Sequence, residues 1–214
     1  MARTVPSVEG VNTADFAIYI ARIGKVKDDP DKLMKYLLAH SHFSPFEHTY
    51  FTFKIQTSMS IGEQLLRHRS FTFQKQSGRY EEMAEFEPIE LRKQAVKNRQ
   101  SSEDVFNPVV DYWENDNDSV ELFASEAIRR AIAVASQLYE DLLDAGVAKE
   151  CARFILPACT STTMLMTGNL RSWLHFLAIR DDAHAQKEVQ LIAKEIRGFL
   201  AKEVPGMFGE VANK

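Results

Sequence analysis

Residues 49–69 read TYFTFKIQTSMSIGEQLLRHR, and the hydrophobic period changes within them. Phe51, Phe53 and Ile55 alternate with Thr52, Lys54 and Gln56, so Thr49–Met59 reads as a half-buried strand. Ser60-Ile61-Gly62-Glu63 has the form of a capping box, which predicts a short helix to about Arg69. On that helix Ile61, Leu65 and Leu66 form an apolar side. Gln64, Arg67 and His68 fall within about a quarter to a third of the circumference. A strand running directly into a helix, with no βαβ repeat elsewhere, sets the class as α+β.

Upstream, residues 12–22 read as a short helix. Asp29-Pro30 starts another, running to about His40 with Leu33, Leu37 and Leu38 inward. His40–His48 is a loop broken by Pro45. Downstream, residues 81–117 hold Pro88, Pro108 and many charges, and read as an irregular excursion with some local helix. A long amphipathic helix follows from Ser119 to about Ala145, with Phe123, Ile128, Ile132, Ala135, Leu138 and Leu142 on one side. Gly146 stops it. A short helix ends at Pro157, and CTSTTMLMT (159–167) is a second strand. Asn169 caps a helix over 170–180, and a last helix covers about 183–202 before Pro205. The whole chain, 1–214, reads as one domain.

Composition is that of an ordinary globular protein: 214 residues, 45% hydrophobic, 26% charged, formal charge −4. The acidic balance argues against a surface that coats nucleic acid. No apolar run approaches the roughly 20 residues of a membrane span, and MARTVPSVEG is not a secretory signal. Cys151 and Cys159 form no CxxC pair and read as small core hydrophobes in a reducing cytoplasm.

Against that acidic background, Arg67–Tyr80 (RHRSFTFQKQSGRY) concentrates positive donors. Guanidinium forks suit phosphates and planar acceptors. If the segment 77–79 is extended, Ser77 and Arg79 project to the same side. The stretch reads either as a clamp for a phosphorylated planar ligand or as a surface salt-bridge patch. Arg153 sits in an apolar run and should have a fixed partner. Arg171 and His175 form an i, i+4 polar seam beside Trp173, Leu174 and Leu177, and Arg180 closes their helix. His40, His42 and His48 match no zinc spacing, so local hydrogen bonds are expected of them and no metal. Ser77 lacks a nucleophile elbow, and no glycine-rich phosphate loop is present.

The frame Arg67-His68-Arg69, seven residues, Ser77, then Arg79-Tyr80, resembles the signature of the flavin-dependent thymidylate synthases. The resemblance extends through HSHFSPFEH (40–48), ARFILP (152–157) and GNLRSWLHFLAIRDDAHAQKEV (168–189), and covers most of 12–205 apart from 81–117. It implies an antiparallel sheet core flanked by helices and a homotetramer with shared active sites. It also implies conversion of dUMP to dTMP, with 5,10-methylenetetrahydrofolate as one-carbon donor and FAD, reduced by NADPH, as hydride source.

Carried over by position, Gln64, Leu65, Leu66, Arg67, Lys75, Gln76, Ser77, Gly78, Arg79 and Arg153 resemble the dUMP site. Arg180 resembles the residue that contacts uracil and favours its N3-deprotonated form; it and Ser77 are the catalytic candidates. His42, Ser44, Arg67, His68, Arg69, Lys75, Asn169, Leu170, Arg171 and His175 resemble the FAD site, with His42 near flavin and folate. Two positions depart from the family pattern. Lys75 stands where glutamate or glutamine is usual, and Gly24 where serine is common. Two alternatives stay open: a catalytically altered homologue owing to Lys75, and a non-catalytic nucleotide- or nucleic-acid-binding protein.

Overall fold

The computed structural model describes residues 2–3, 13–22, 30–83, 85–98, 100–115 and 117–209; Gly24 lies outside them. The chain forms two compact units. One comprises Met1–Ile55, Leu65–Gln74 and Met164–Lys214; the other comprises Gln56–Gln64 and Lys75–Thr163.

The first unit is built on strands β1 (Ala2–Arg3), β2 (Tyr50–Ser58), β3 (Thr72–Lys75) and β8 (Ser161–Asn169), in the order β1-β2-β8-β3. β1 is antiparallel to β2, with Ala2 opposite Thr52. The alternation foreseen for β2 holds: Phe51, Phe53, Ile55 and Thr57 are buried, and Lys54 and Gln56 are exposed. Helices α1 (Thr13–Ala21), α2 (Pro30–Ala39), α6 (Leu170–Arg180), α7 (Lys187–Glu203) and α8 (Pro205–Phe208) complete this unit. Met34 and Leu37 are buried on α2, while Leu33 and Leu38 are half-buried.

Trp173 anchors the core of this unit. It is fully buried, and Phe53, Phe71 and Phe176 meet it edge-on at 4.9, 4.5 and 5.6 Å. Its indole N–H donates to the carbonyls of Gly168 (3.0 Å) and Phe51 (3.3 Å), which satisfies the one polar atom that burial would otherwise strand. Asn169 caps α6 as expected, its Oδ1 accepting from the Ser172 N–H at 2.9 Å.

The second unit corrects the sequence reading in several places. Residues 81–117 hold no helix among the described residues. They form strands β4 (Arg92–Gln94), β5 (Ser102–Val105) and β6 (Val109–Trp113). β4 pairs antiparallel with β5, and β6 with β7 (Ser119–Phe123). The long helix α4 therefore starts at Ala124, not Ser119, and ends at Asp144. Residues 119–123 also alternate, and Val120 and Leu122 pair with Tyr112 and Val110; that ladder outweighs the helical period. Phe123 is consequently 61% exposed rather than inward.

Gly146, at φ +85°, ends α4 as foreseen. Its N–H donates to Leu143 O and that of Val147 to Leu142 O, a Schellman cap. α5 (Lys149–Ala152) and a 3-10 turn at Arg153–Ile155 follow. Cys159 is buried, but Cys151 is exposed on α5, contrary to the core role expected of it.

α3 (Met59–Leu66) starts in the second unit and ends in the first. It begins one residue before the proposed cap. The N–H groups of Met59 and Ser60 donate to the carbonyls of Thr160 and Ala158, so backbone takes the place of a Ser60 capping box. It also stops at Leu66. Arg67, His68 and Arg69 thus lie in the turn beyond it rather than on the helical side shared with Gln64.

Candidate active site

In the first unit, Asn169, Arg171 and His175 line a cavity of about 750 Å³ with Ser70, Ser172, Phe43, Glu47, Leu174 and Ala178. The i, i+4 seam is real: Arg171 and His175 are exposed, while Trp173 and Leu177 are buried. Arg171 is held by an ion pair with Glu47 and lies over the Phe43 ring at 5.6 Å. Glu47 and Phe43 come from the 40–48 segment, where a 3-10 helix covers Ser44–His48 with Pro45 in its first turn.

His42 and Ser44 are exposed and do not line this cavity. His42 follows a second Schellman cap. Its N–H donates to Leu37 O at 2.8 Å, with Ser41 at φ 57°. A non-glycine residue in that conformation costs about 1 kcal/mol or more, met here to turn the chain out of α2. His40 makes the local bond expected of these histidines, through Nδ1 and the Tyr36 carbonyl at 2.9 Å.

His68 and Arg180, assigned on sequence to different ligands, meet. Arg180 Nε donates to His68 Nε2 at 2.9 Å. Arginine has only donors, so Nε2 carries the lone pair and Nδ1 the proton. Phe176 meets the imidazole edge-on at 4.9 Å, and Phe71 at 6.3 Å. Burial, then the charges of Arg180 and His175, lower the His68 pKa from 6.5 to about 4, so it is neutral at pH 7. Arg67 and Arg69 are exposed, and neither has an ion-pair partner among the described residues. These two arginines are therefore not members of a salt-bridge patch.

In the second unit, Lys75, Gln76, Ser77, Gly78 and Arg153 line a cavity of about 480 Å³ with Met59, Met83, Phe154 and Leu156. Five residues singled out from the sequence thus share one wall, and no carboxylate lines it. Ser77–Arg79 is a turn, not the extended segment considered: the N–H groups of Tyr80 and Glu81 both donate to Ser77 O. Arg153, expected to have a fixed partner, has no carboxylate partner among the described residues; it lies 5.8 Å from the Phe154 ring. Arg79 does not line the cavity and is 3.4 Å from Glu150 through Nε, in an exposed pair.

The Gln76 amide is already engaged, donating to Glu81 and accepting from Thr163 N–H. Leu65 and Leu170 are fully buried and present no accessible surface, while Leu66 is 37% exposed. Gln64 is half-buried. Sequence reasoning missed the apolar lining residues, Met59, Met83, Phe154 and Leu156, because nothing in their spacing separates a cavity wall from a core.

The chain matches the family model described as "Thymidylate synthase complementing protein" over residues 7–206. It is 38% identical over 211 residues to a probable flavin-dependent thymidylate synthase of Paramecium bursaria Chlorella virus 1, covering 95% of this chain and 93% of that one. It is 40% identical over 190 residues to a flavin-dependent thymidylate synthase of Synechocystis, covering 87% and 84%. A relative of the same name from Thermosipho africanus is 34% identical over 199 residues, covering 90% and 83%. A catalytic class is thereby defined, a flavin-using enzyme of nucleotide synthesis. The chain belongs to the flavin-dependent thymidylate synthase family.

Proposed function

We propose that the chain converts dUMP to dTMP and that the residues of its two cavities hold the reactants. 5,10-Methylenetetrahydrofolate is the one-carbon donor, and FAD and NADPH are the redox partners. The observation that carries this reading is the second cavity. It combines Lys75, Arg153 and the Ser77 hydroxyl with an apolar wall and no acid, which is the chemistry of an anionic group joined to a planar ring.

Arg153 has no carboxylate to satisfy and offers its donor fork to the nucleotide phosphate, with Ser77 hydrogen-bonding beside it. The backbone at Gly78 lies on the same wall; Gln64, Leu65, Leu66, Arg67, Gln76 and Arg79 belong to the nucleotide set by position. Lys75 adds a second positive charge to this wall. Arg180 presents a fixed cation to uracil and stabilises negative charge developing on the ring, as preorganised electrostatics requires.

The first cavity suits a flavin dinucleotide. Arg171, His175 and Asn169 supply donors for a pyrophosphate, and Phe43, Leu174 and Ala178 supply an apolar face for a ring. When bound, the flavin supplies the hydride. His68, Arg69, Leu170, Ser44 and His42 belong to that set by position. The assembly we propose is a homotetramer with shared active sites. Apolar surface left uncovered supports it: Val134 and Leu138 on α4 are 63% and 46% exposed, and Trp113 is 64% exposed. We read the chain as one domain, because β2, α3 and β8 each continue from one unit into the other. We place it in the cytoplasm, a reading that the free thiols of Cys151 and Cys159 support. No described helix is long and apolar enough to cross a membrane.

The test is dTMP formation from dUMP, methylenetetrahydrofolate and NADPH by the FAD-loaded protein. Turnover, with a flavin spectrum that bleaches under anaerobic NADPH, supports the reading. A protein that binds flavin yet makes no dTMP refutes it.

A further inference from the structure

Arg180 is half-buried at the last position of α6, and its Nε–H is spent on His68. Its two terminal nitrogens have no hydrogen-bond partner among the described residues. The nearby carboxylates are committed elsewhere. Asp181 and Asp182, which follow it in sequence, pair with Arg197 and His184. The guanidinium is therefore oriented by a neutral acceptor. A carboxylate in the same place would orient it too, but would also neutralise the charge that an anionic transition state needs.

We propose that His68 is a positioning residue for Arg180. Its imidazole holds the guanidinium through Nε while leaving the full charge and both terminal NH₂ groups free for the substrate. The aromatic walls fix the ring in turn: Phe176 and Phe71 meet it edge-on and limit its rotation. The inference rests on the reading that Arg180 contacts the nucleotide base. It adds a role for His68 that position in the sequence does not supply, since the residues lie 112 apart.

The experiment is a double-mutant cycle on the FAD-loaded protein. Calorimetry gives the dUMP affinity, and the visible spectrum gives flavin content per chain. The variants are Arg180→Ala, His68→Phe, their combination, His68→Gln and His68→Asn. Glutamine carries an acceptor out to the Nε2 position; asparagine is too short. Arg180→Ala and His68→Phe should each weaken dUMP binding about ten- to a hundredfold, the range for a hydrogen bond to a charged group. The double variant should be no weaker than Arg180→Ala alone. His68→Gln should restore most of the affinity and His68→Asn should not; because His68 also belongs to the FAD set, affinities are compared at equal flavin content per chain.

Multiplying losses in the double variant, or a glutamine as harmful as asparagine, would overturn the proposal. So would a dUMP affinity that, at equal flavin content, is the same in His68→Phe as in the parent. If His68→Phe fails to fold, His68→Asn serves in the cycle. If Arg180→Ala itself leaves dUMP affinity and turnover unchanged, the functional reading of Arg180 fails first, a result distinct from failure of the positioning role.

Discussion

Gly168→Ala tests how tightly the core around Trp173 is built. A Cβ at Gly168 would lie 2.4 Å from both Cδ1 and Cε1 of Phe71, and 3.3 Å from its Cγ. Carbon contacts are comfortable at about 3.5–4.0 Å, so the ring must retreat by about 1 Å. It has little room: Phe71 is 8% exposed, and Trp173 blocks it edge-on at 4.5 Å. Trp173 cannot yield cheaply, because its N–H is bonded to Gly168 O and Phe51 O. Overpacking of this kind costs about 1–3 kcal/mol. At about 2–4 °C per kcal/mol for a chain of this size, the melting point should fall by about 2–12 °C. Urea unfolding measures the free-energy loss directly. Phe71→Leu introduced with Gly168→Ala should relieve part of the clash, so the two losses should not add. A Gly168→Ala protein within about 0.5 kcal/mol of the parent would refute the reasoning, since that is the scatter of inert surface substitutions.

Three further outcomes follow from the same structure. Gly198→Ala, at an exposed position of α7 with nothing within 4 Å of the new Cβ, should stabilise by about 0.5–1 kcal/mol in urea melts. Because the His68 pKa falls from 6.5 to about 4 on folding, the unfolded chain takes up the proton first. Stability is thus lost as pH drops from about 6.5 to about 4, by about 1–2 kcal/mol once solvent screening of the half-buried ring is allowed for. Urea melts of His68→Gln across that window should lack this part of the slope. Arg153→Ala should weaken dUMP binding about tenfold or more and leave deoxyuridine binding little changed, because a charge-assisted phosphate contact is lost. Its fold should persist, as no described carboxylate loses a partner, and calorimetry with both ligands checks this.

Much of this protein is legible without coordinates. The alternation at 50–58 is a strand because period-2 burial has only one backbone solution. Gly146 ends α4 because the chain needs a positive φ there, and Asn169 caps α6 through its own side chain. The wall formed by Lys75, Gln76, Ser77 and Gly78 was visible as a contiguous run, and its electropositive character followed from residue types alone. Family membership was legible for the same reason: the donors that recognise the ligands lie in short, ordered segments.

What sequence could not decide depended on partners far away along the chain. Residues 119–123 carry both a helical and a strand period, and only pairing with residues 109–113 settles the matter. The start of α3 was set by carbonyls of residues 158 and 160, which supply what a side-chain cap would have supplied. The meeting of His68 with Arg180 is the sharpest instance. Local propensity is summed over neighbours within about one turn, whereas that bond joins groups brought together only when His68 and Phe71, beyond α3, pack against Trp173 and Phe176 of α6.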